Sequence, residues 1–157
     1  MDFPKAGFLQ RLVALTVDCV LLQIVGGAVT YPLDQKFGLT TDETLKQILA
    51  GTADLKQIMI FILLYTTLLT VLWGFYFTYF IGSTGQTPGK KLLGILVVRT
   101  DGKPMDYKTA FNRFIGYTVS SGVFFLGFVW ALFDPNNQTW HDKAAHTIVV
   151  KQTANPL

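Results

Sequence analysis

The most constraining feature of this sequence is the stretch from Ile58 to Ile81, which contains no charged side chain. At about 1.5 Å per residue, a helix of that length crosses the roughly 30 Å hydrocarbon core of a bilayer. Half of all residues are hydrophobic and 15% are charged, whereas soluble domains have roughly 25% charged residues. The chain is therefore predicted to be a helical membrane protein rather than a water-soluble domain.

For this central stretch we predict a helix over 58–82. Two further apolar stretches flank it. The first predicts a transmembrane helix over 12–32. A cleaved signal peptide is the alternative there, but a carboxylate in its middle, Asp18, is unusual for such a segment. The third stretch, 109–133, is loosened by glycine and serine, so it either spans the membrane or enters and returns as a re-entrant pair of helices.

The basic residues of the two connecting segments predict the orientation of the chain. Residues 82–113 carry six Lys or Arg side chains, whereas residues 33–57 carry three beside four acids. Basic loops stay on the cytoplasmic side of a membrane. The second segment and the N-terminus are therefore predicted to lie inside. A net charge of +3 suits contact with anionic lipids, and no nucleic-acid partner is expected.

The segment 83–107 begins with an unusual turn after the second helix. Thr87 is a candidate N-cap and Pro88 fits the first helical position. The short helix that they start is expected to bring basic side chains to the lipid surface. The candidate lipid or anion contacts of this turn are Thr87, Gly89, Lys90 and Lys91.

Two β-rich runs predict a small sheet on the cytoplasmic side. Residues 95–99 precede an Asp101-Gly102 turn, which favours a hairpin with residues up to Tyr107. Residues 147–151, within the terminal segment 140–151, form the second run. A lone strand leaves its hydrogen-bonding groups unpaired, so we expect 95–99 to pair with 147–151 as well. The predicted fold is one α-helical integral membrane domain over 1–157, with a small cytoplasmic β element.

Four ionisable residues are candidates for an ion-binding or proton-binding site, or for a structural ion pair. Asp18 lies in the apolar first helix, where a carboxylate needs a partner, a cavity or a proton. Arg11, two turns earlier, and Arg113, at the head of the third stretch, are its candidate cations. Asp142 lies in a polar segment and is expected to anchor it to Arg11, to Arg113 or to the amides of the Thr87 turn.

These residues and their neighbours resemble the RDD family of membrane proteins, named for one arginine and two aspartates. The resemblance covers most of the chain and implies that Arg11, Asp18 and Asp142 are the namesake residues. A glycine commonly precedes the last threonine of the family pattern, whereas this chain has His146. The matching segments are Phe8-Leu9-Gln10-Arg11-Leu12, Gln86 to Gly94, Val97-Val98, Asp101-Gly102, Arg113 and His141 to Thr147.

The resemblance implies a transport protein of the bacterial cytoplasmic membrane, because some family members look like monovalent cation/proton antiporters. Asp18 is then the residue that exchanges a proton for a cation. The alternative is a non-catalytic scaffold or assembly partner with structural charges. Either way we expect no enzyme, no catalytic residue, no cofactor and no metal site. The lone cysteine, Cys19, excludes an intrachain disulfide.

A homo-oligomer is expected, because two or three helices do not enclose a water-filled path. Small residues permit close helix approach. The candidate contact residues are Gly26, Gly27, Ala28, Gly116, Ser120 and Gly122.

Overall fold

The computed structural model describes residues 4–37, 41–52, 54–123 and 126–152. Within them, helices dominate and two strands form one small sheet. The elements in chain order are α1 (Phe8–Phe37), α2 (Thr41–Leu49), α3 (Leu55–Thr84), α4 (Pro88–Leu92), β1 (Ile95–Arg99), α5 (Tyr107–Gly122), α6 (Leu126–Val129), a 3₁₀ turn (Trp130–Leu132), α7 (Trp140–Ala144) and β2 (Thr147–Lys151).

The two long helices, α1 and α3, confirm the predicted membrane fold. Each has 30 residues, or roughly 45 Å at 1.5 Å per residue, which exceeds the thickness of the hydrocarbon core. Large apolar side chains on both are exposed, among them Ile24 at 69% and Leu63 at 66%. Such faces fit hydrocarbon and not water. Both helices are long and apolar enough to cross a membrane.

Helix α1 extends beyond the predicted range 12–32 at both ends. At its start, the side-chain oxygen of Gln10 accepts a hydrogen bond from the Gly7 N–H (3.3 Å), so a side chain satisfies one of the free amides at the helix terminus. Pro32 does not end the helix, which continues to Phe37. Proline removes one backbone hydrogen bond, a loss that long membrane helices tolerate. Helix α3 likewise exceeds its predicted range of 58–82.

Contacts divide the chain into two compact units, residues 21–73 and residues 1–20 with 74–157. In the first unit, a Cβ on Gly26 would lie 3.2 Å from the Leu69 side chain. The side-chain amide of Gln57 donates a hydrogen bond to the Phe37 carbonyl (3.1 Å). Gly26, expected to contact another copy, is thus used for packing within the chain.

The third apolar stretch is broken, as its glycine and serine content predicts. Asp106 caps α5 by accepting a hydrogen bond from the Thr109 N–H (2.7 Å), and the helix ends at Gly122. The axis of residues 126–132 is then bent by 112° from that of α5. Such a bend fits a broken span or a re-entrant loop. Residues 124–125 of the predicted segment lie outside the described residues.

The sheet confirms the expected pairing of residues 95–99 with 147–151. Strands β1 and β2 are antiparallel, with Val97 opposite Val149. The predicted hairpin with residues up to Tyr107 is wrong. Arg99 instead forms ion pairs with Asp101 and Asp106 across the turn. These ion pairs join the end of β1 to the turn and to Asp106, the N-cap of α5.

The residues before α1 form backbone hydrogen bonds with the edge of β2 that does not pair with β1. Their backbone forms an isolated bridge between Lys5 and Val150. The Ala6 N–H donates to the Val149 carbonyl (2.9 Å), and the Lys151 N–H donates to the Pro4 carbonyl (2.8 Å). These bonds satisfy groups that an exposed strand edge would leave unpaired.

Candidate functional site

Asp18 is fully buried on α1 and is bound by neutral donors. Its Oδ1 accepts hydrogen bonds from the Tyr76 hydroxyl and from the Gly89 N–H, both at 2.8 Å. Its Oδ2 accepts a hydrogen bond from the Thr87 hydroxyl. The carboxylate is therefore solvated by two hydroxyl groups and one backbone amide, which replace the water that burial removes.

The local sequence after α3 builds this arrangement. Thr87 is the N-cap of α4, with Pro88 in the first turn, as predicted. Capping leaves the next free amide, that of Gly89, directed at Asp18. A Cβ on Gly89 would collide with the Ala14 carbonyl oxygen and would lie 2.9 Å from Asp18 Oδ1. Only glycine lets the α4 backbone approach α1 so closely.

The expectation that the Thr87 turn faces lipid is therefore wrong for Thr87 and Gly89. Thr87, Gly89 and Lys90 are buried, and only Lys91 is exposed. The anion that Thr87 and Gly89 contact is the chain's own Asp18. The ammonium group of Lys90 lies 6.0 Å from the centre of the Phe77 ring. That distance is at the limit for a cation–π contact.

A second cluster is centred on Asp142, which is also fully buried. Its Oδ2 lies 2.7 Å from Nη1 of Arg11, and its Oδ1 lies 2.6 Å from Nη1 of Arg113. Arg113 is 1% exposed and donates a further hydrogen bond to the Thr147 hydroxyl. One carboxylate thus joins α1, α5 and α7 through two guanidinium groups.

The position of Asp142 follows from the short helix that carries it. Thr139 and Asp142 form a capping box, in which the Thr139 hydroxyl accepts from the Asp142 N–H (3.3 Å). In return, Asp142 Oδ2 accepts from the Thr139 N–H (3.1 Å). Helix α7 lies close against α5, because a Cβ on Gly116 would lie 2.8 Å from the Cα of His141. Gly116 therefore serves packing within this unit, not the expected contact with another copy.

Burial and charge set the protonation of this cluster. Burial would raise the pKa of the Asp142 carboxyl, but the charges of Arg113 and Arg11 outweigh it and hold the pKa well below its usual range. Burial lowers the pKa of His141 well below its ordinary value; Asp142 opposes this shift, and Arg113, Lys90 and Arg11 add to it. At neutral pH the cluster therefore holds two guanidinium cations, one carboxylate and one neutral imidazole.

The two aspartates thus have separate partners. The prediction that Asp142 anchors its segment to the arginines is confirmed for both Arg11 and Arg113. The prediction that either arginine neutralises Asp18 is wrong: within the described ranges, no ion pair involves Asp18. The turn amide offered as an alternative partner of Asp142 binds Asp18 instead. Both arginines pair with the carboxylate of Asp142.

Three hydroxyl partners were not predicted from the sequence: Tyr76, Thr139 and Thr147. Thr139 had a recognisable signal, since Thr-x-x-Asp before a helix is the pattern of a capping box. Tyr76 lies in a girdle of aromatic residues that is typical of a membrane interface, and nothing local distinguishes its hydroxyl. Among the residues that the structure describes, no group of three His, Cys, Asp or Glu side chains is placed to hold a metal ion.

The fold and this site define an α-helical integral membrane protein with two fully buried carboxylates among its described residues, one bound by arginines and one by neutral donors. A model of the RDD family matches residues 5–146, and the chain belongs to that family. No curated protein and no solved structure matches the chain.

Proposed function

We propose that this chain is a membrane transport protein in which Asp18 exchanges a proton for a monovalent cation. The proposal rests on one observation: Asp18 is buried in a candidate membrane span and, in the described part of the chain, has neutral partners only. A carboxylate already neutralised by arginine has little reason to bind either ion. A buried carboxylate without a countercharge gains from binding one of them.

The surroundings of Asp18 supply oxygen atoms suited to such a cation. The hydroxyl oxygens of Tyr76 and Thr87 contact the carboxylate, and the Ala14 carbonyl oxygen lies beside Gly89. Backbone carbonyl oxygens and carboxylate side chains are the groups that line cation-selective sites in membrane proteins. The hydroxyl groups donate to the free carboxylate and, after rotation, present lone pairs to a bound cation.

The proposal includes an oligomer and an orientation. Two spans and a broken third segment do not enclose an aqueous path, so copies of the chain complete it. Gly27 and Gly122 remain candidates for that contact, since a Cβ on either would meet no atom of the described residues within 4 Å beyond its chain neighbours and its own helix backbone. The basic segment after α3 is placed in the cytoplasm with the N-terminus. A single-chain mass for active protein in bilayer discs would contradict the oligomer.

Transport in liposomes tests the proposal. Purified protein is reconstituted with a pH-sensitive dye inside, and Na⁺ or K⁺ gradients are imposed. We expect cation-driven proton movement that Asp18→Asn abolishes and Asp34→Asn preserves. Asp34 is the matched control because it is a partly exposed aspartate on the same helix. Tyr76→Phe, which removes one hydroxyl ligand, should shift the pH dependence without abolishing movement.

A scaffold without transport is the second candidate, favoured by the enclosed Asp142 cluster that joins three helices. This function requires the cluster and not a proton site. Folded wild-type protein that moves no proton under any cation gradient would support the scaffold and refute the transport proposal.

A further inference from the structure

A cavity of about 250 Å³ lies beside the Asp142 cluster and is distinct from the surroundings of Asp18. Its walls are mainly apolar side chains of α1, α5 and the α6 region, such as Leu15 and Phe128. Three of its lining residues are cations: Arg11, Lys90 and Arg113. The described residues that line it include no carboxylate. Such a pocket fits a guest that is apolar at one end and negatively charged at the other.

The cations of this cavity retain unused capacity for an anion. Lys90 is 6% exposed, and within the described ranges no ion pair involves it. Arg113 Nε and His141 Nδ1 are buried without a hydrogen-bond partner in the part of the chain that the structure describes. Buried polar atoms without partners are costly, and of these two Arg113 Nε is always a donor. Arg11 and Arg113 share a single carboxylate, so the charge of the cavity wall is not balanced by its neighbours.

The rim of the cavity indicates where the guest comes from. Leu12 and Val129 line the cavity, and both are exposed apolar residues. Leu12 belongs to a candidate membrane span and Val129 to the bent third segment. Exposed apolar side chains on such segments face hydrocarbon. The cavity volume is below the roughly 300–1,000 Å³ of drug-sized sites, so it holds a head group and not a whole lipid.

We infer that this cavity binds the phosphate head group of an anionic phospholipid, with its acyl chains passing between Leu12 and Val129 into the bilayer. Basic pockets between membrane helices on the cytoplasmic side recognise anionic head groups in this way. The phosphate lies among Arg11, Lys90 and Arg113 and accepts the free Nε–H of Arg113. Bound lipid thereby stabilises the Asp142 cluster. This site goes beyond the proposed transport function and does not depend on it.

Thermal unfolding of the purified protein in mild detergent tests the site without any transport assay. Dioleoyl phosphatidylglycerol is expected to raise the melting temperature in a saturable manner. Dioleoyl phosphatidylcholine, oleate and inorganic phosphate are not. Equal stabilisation by inorganic phosphate would mean a soluble-anion site, and equal stabilisation by oleate a carboxylate site. Either result would overturn the inference.

Two neighbouring lysines provide a matched pair of variants. Lys90→Gln should weaken the apparent affinity for phosphatidylglycerol by about tenfold or more, the usual effect of losing a buried hydrogen bond to a charged group. Lys91→Gln removes the same charge from an exposed position outside the cavity lining and should cost at most the roughly fivefold effect of a basic residue at a lipid surface. Equal losses in the two variants would indicate general surface attraction and refute the pocket.

A third variant covers the case in which Lys90→Gln fails to fold. Leu12→Trp narrows the rim at a partly exposed position and keeps every charge. We expect it to unfold at the wild-type temperature without lipid and to lose the stabilisation by phosphatidylglycerol. Asp18→Asn should retain that stabilisation. Loss in Asp18→Asn and retention in Leu12→Trp would place the lipid elsewhere and refute the site.

Discussion

Replacing Asp142 with asparagine tests the assignment of this residue as the anchor that joins α7 to α1 and α5. The substitution keeps the size of the side chain and removes one charge, which leaves Arg11 and Arg113 without a carboxylate. Arg113 is 1% exposed, so its guanidinium group stays removed from bulk water when the partner is lost. Breaking a buried ion pair from one side costs about 3–5 kcal/mol. That loss is a large share of a typical stability of about 5–15 kcal/mol.

The free energy of unfolding in detergent, followed by tryptophan fluorescence, measures this loss. Trp140 is a natural probe because it begins α7, next to Asp142. Arg11→Gln should cost less than Asp142→Asn, because Arg113 and the carboxylate then remain as a neutral pair. Asp101→Asn is the control, since this aspartate belongs to an exposed ion pair. Exposed pairs contribute little to stability.

The effect of pH provides an independent check on Asp142. Its pKa is lowered in the fold, so its contribution is fully present above the unfolded pKa of about 3.9 and is lost as pH falls below that value. The difference between wild type and Asp142→Asn should therefore narrow below about pH 4. A variant as stable as Asp101→Asn at pH 7, or less destabilised than Arg11→Gln, would refute the anchoring role.

Two further predictions concern the histidines. His141 has a lowered pKa, so its contribution to stability is present above the unfolded pKa of about 6.5 and is lost as pH falls. The free energy of unfolding of the wild type should therefore decrease between pH 7 and 5, and His141→Gln should remove this dependence on pH. A dependence that is unchanged in His141→Gln but absent in exposed His146→Gln would contradict the prediction. His146 has a positive φ of 52°, which costs an L-residue about 1–2 kcal/mol. His146→Gly should therefore raise the free energy of unfolding by about 1 kcal/mol. A lower free energy of unfolding in this variant would show that the histidine side chain is needed there.

The membrane helices, the sheet pairing and the ion-pair contacts of Asp142 could be predicted from the sequence because each depends on a local pattern. Apolar length predicts a span, β-rich runs without other partners predict a pair, and a carboxylate near histidine and lysine predicts an ionised anchor. The family pattern commonly has a glycine where this chain has His146. At that position the backbone adopts the left-handed conformation that favours glycine.

The partners of Asp18 could not be predicted, because they depend on packing between distant segments. Arg11 lies two turns from Asp18 on the same helix face, and this shared face makes Arg11 a candidate partner. In the structure Arg11 instead pairs with Asp142, which is 131 residues away in the sequence. Nothing in the local sequence shows that the Thr87 turn passes close enough to α1 for Gly89 to donate to Asp18. The same approach buries Lys90, which composition alone assigns to the surface.

The contacts between residues 4–11 and residues 136–151 have a consequence for the order of folding. Lys5 contacts Asn136, and Arg11 contacts Asp142 and the Val149 carbonyl, at separations of 131 to 138 residues. Helices α1 and α3 form from local hydrogen bonds and can enter the bilayer during synthesis. Contacts of long sequence separation form late, because loop closure must precede them. Arg11 and Arg113 therefore have no carboxylate partner in this cluster until α7 has been synthesised.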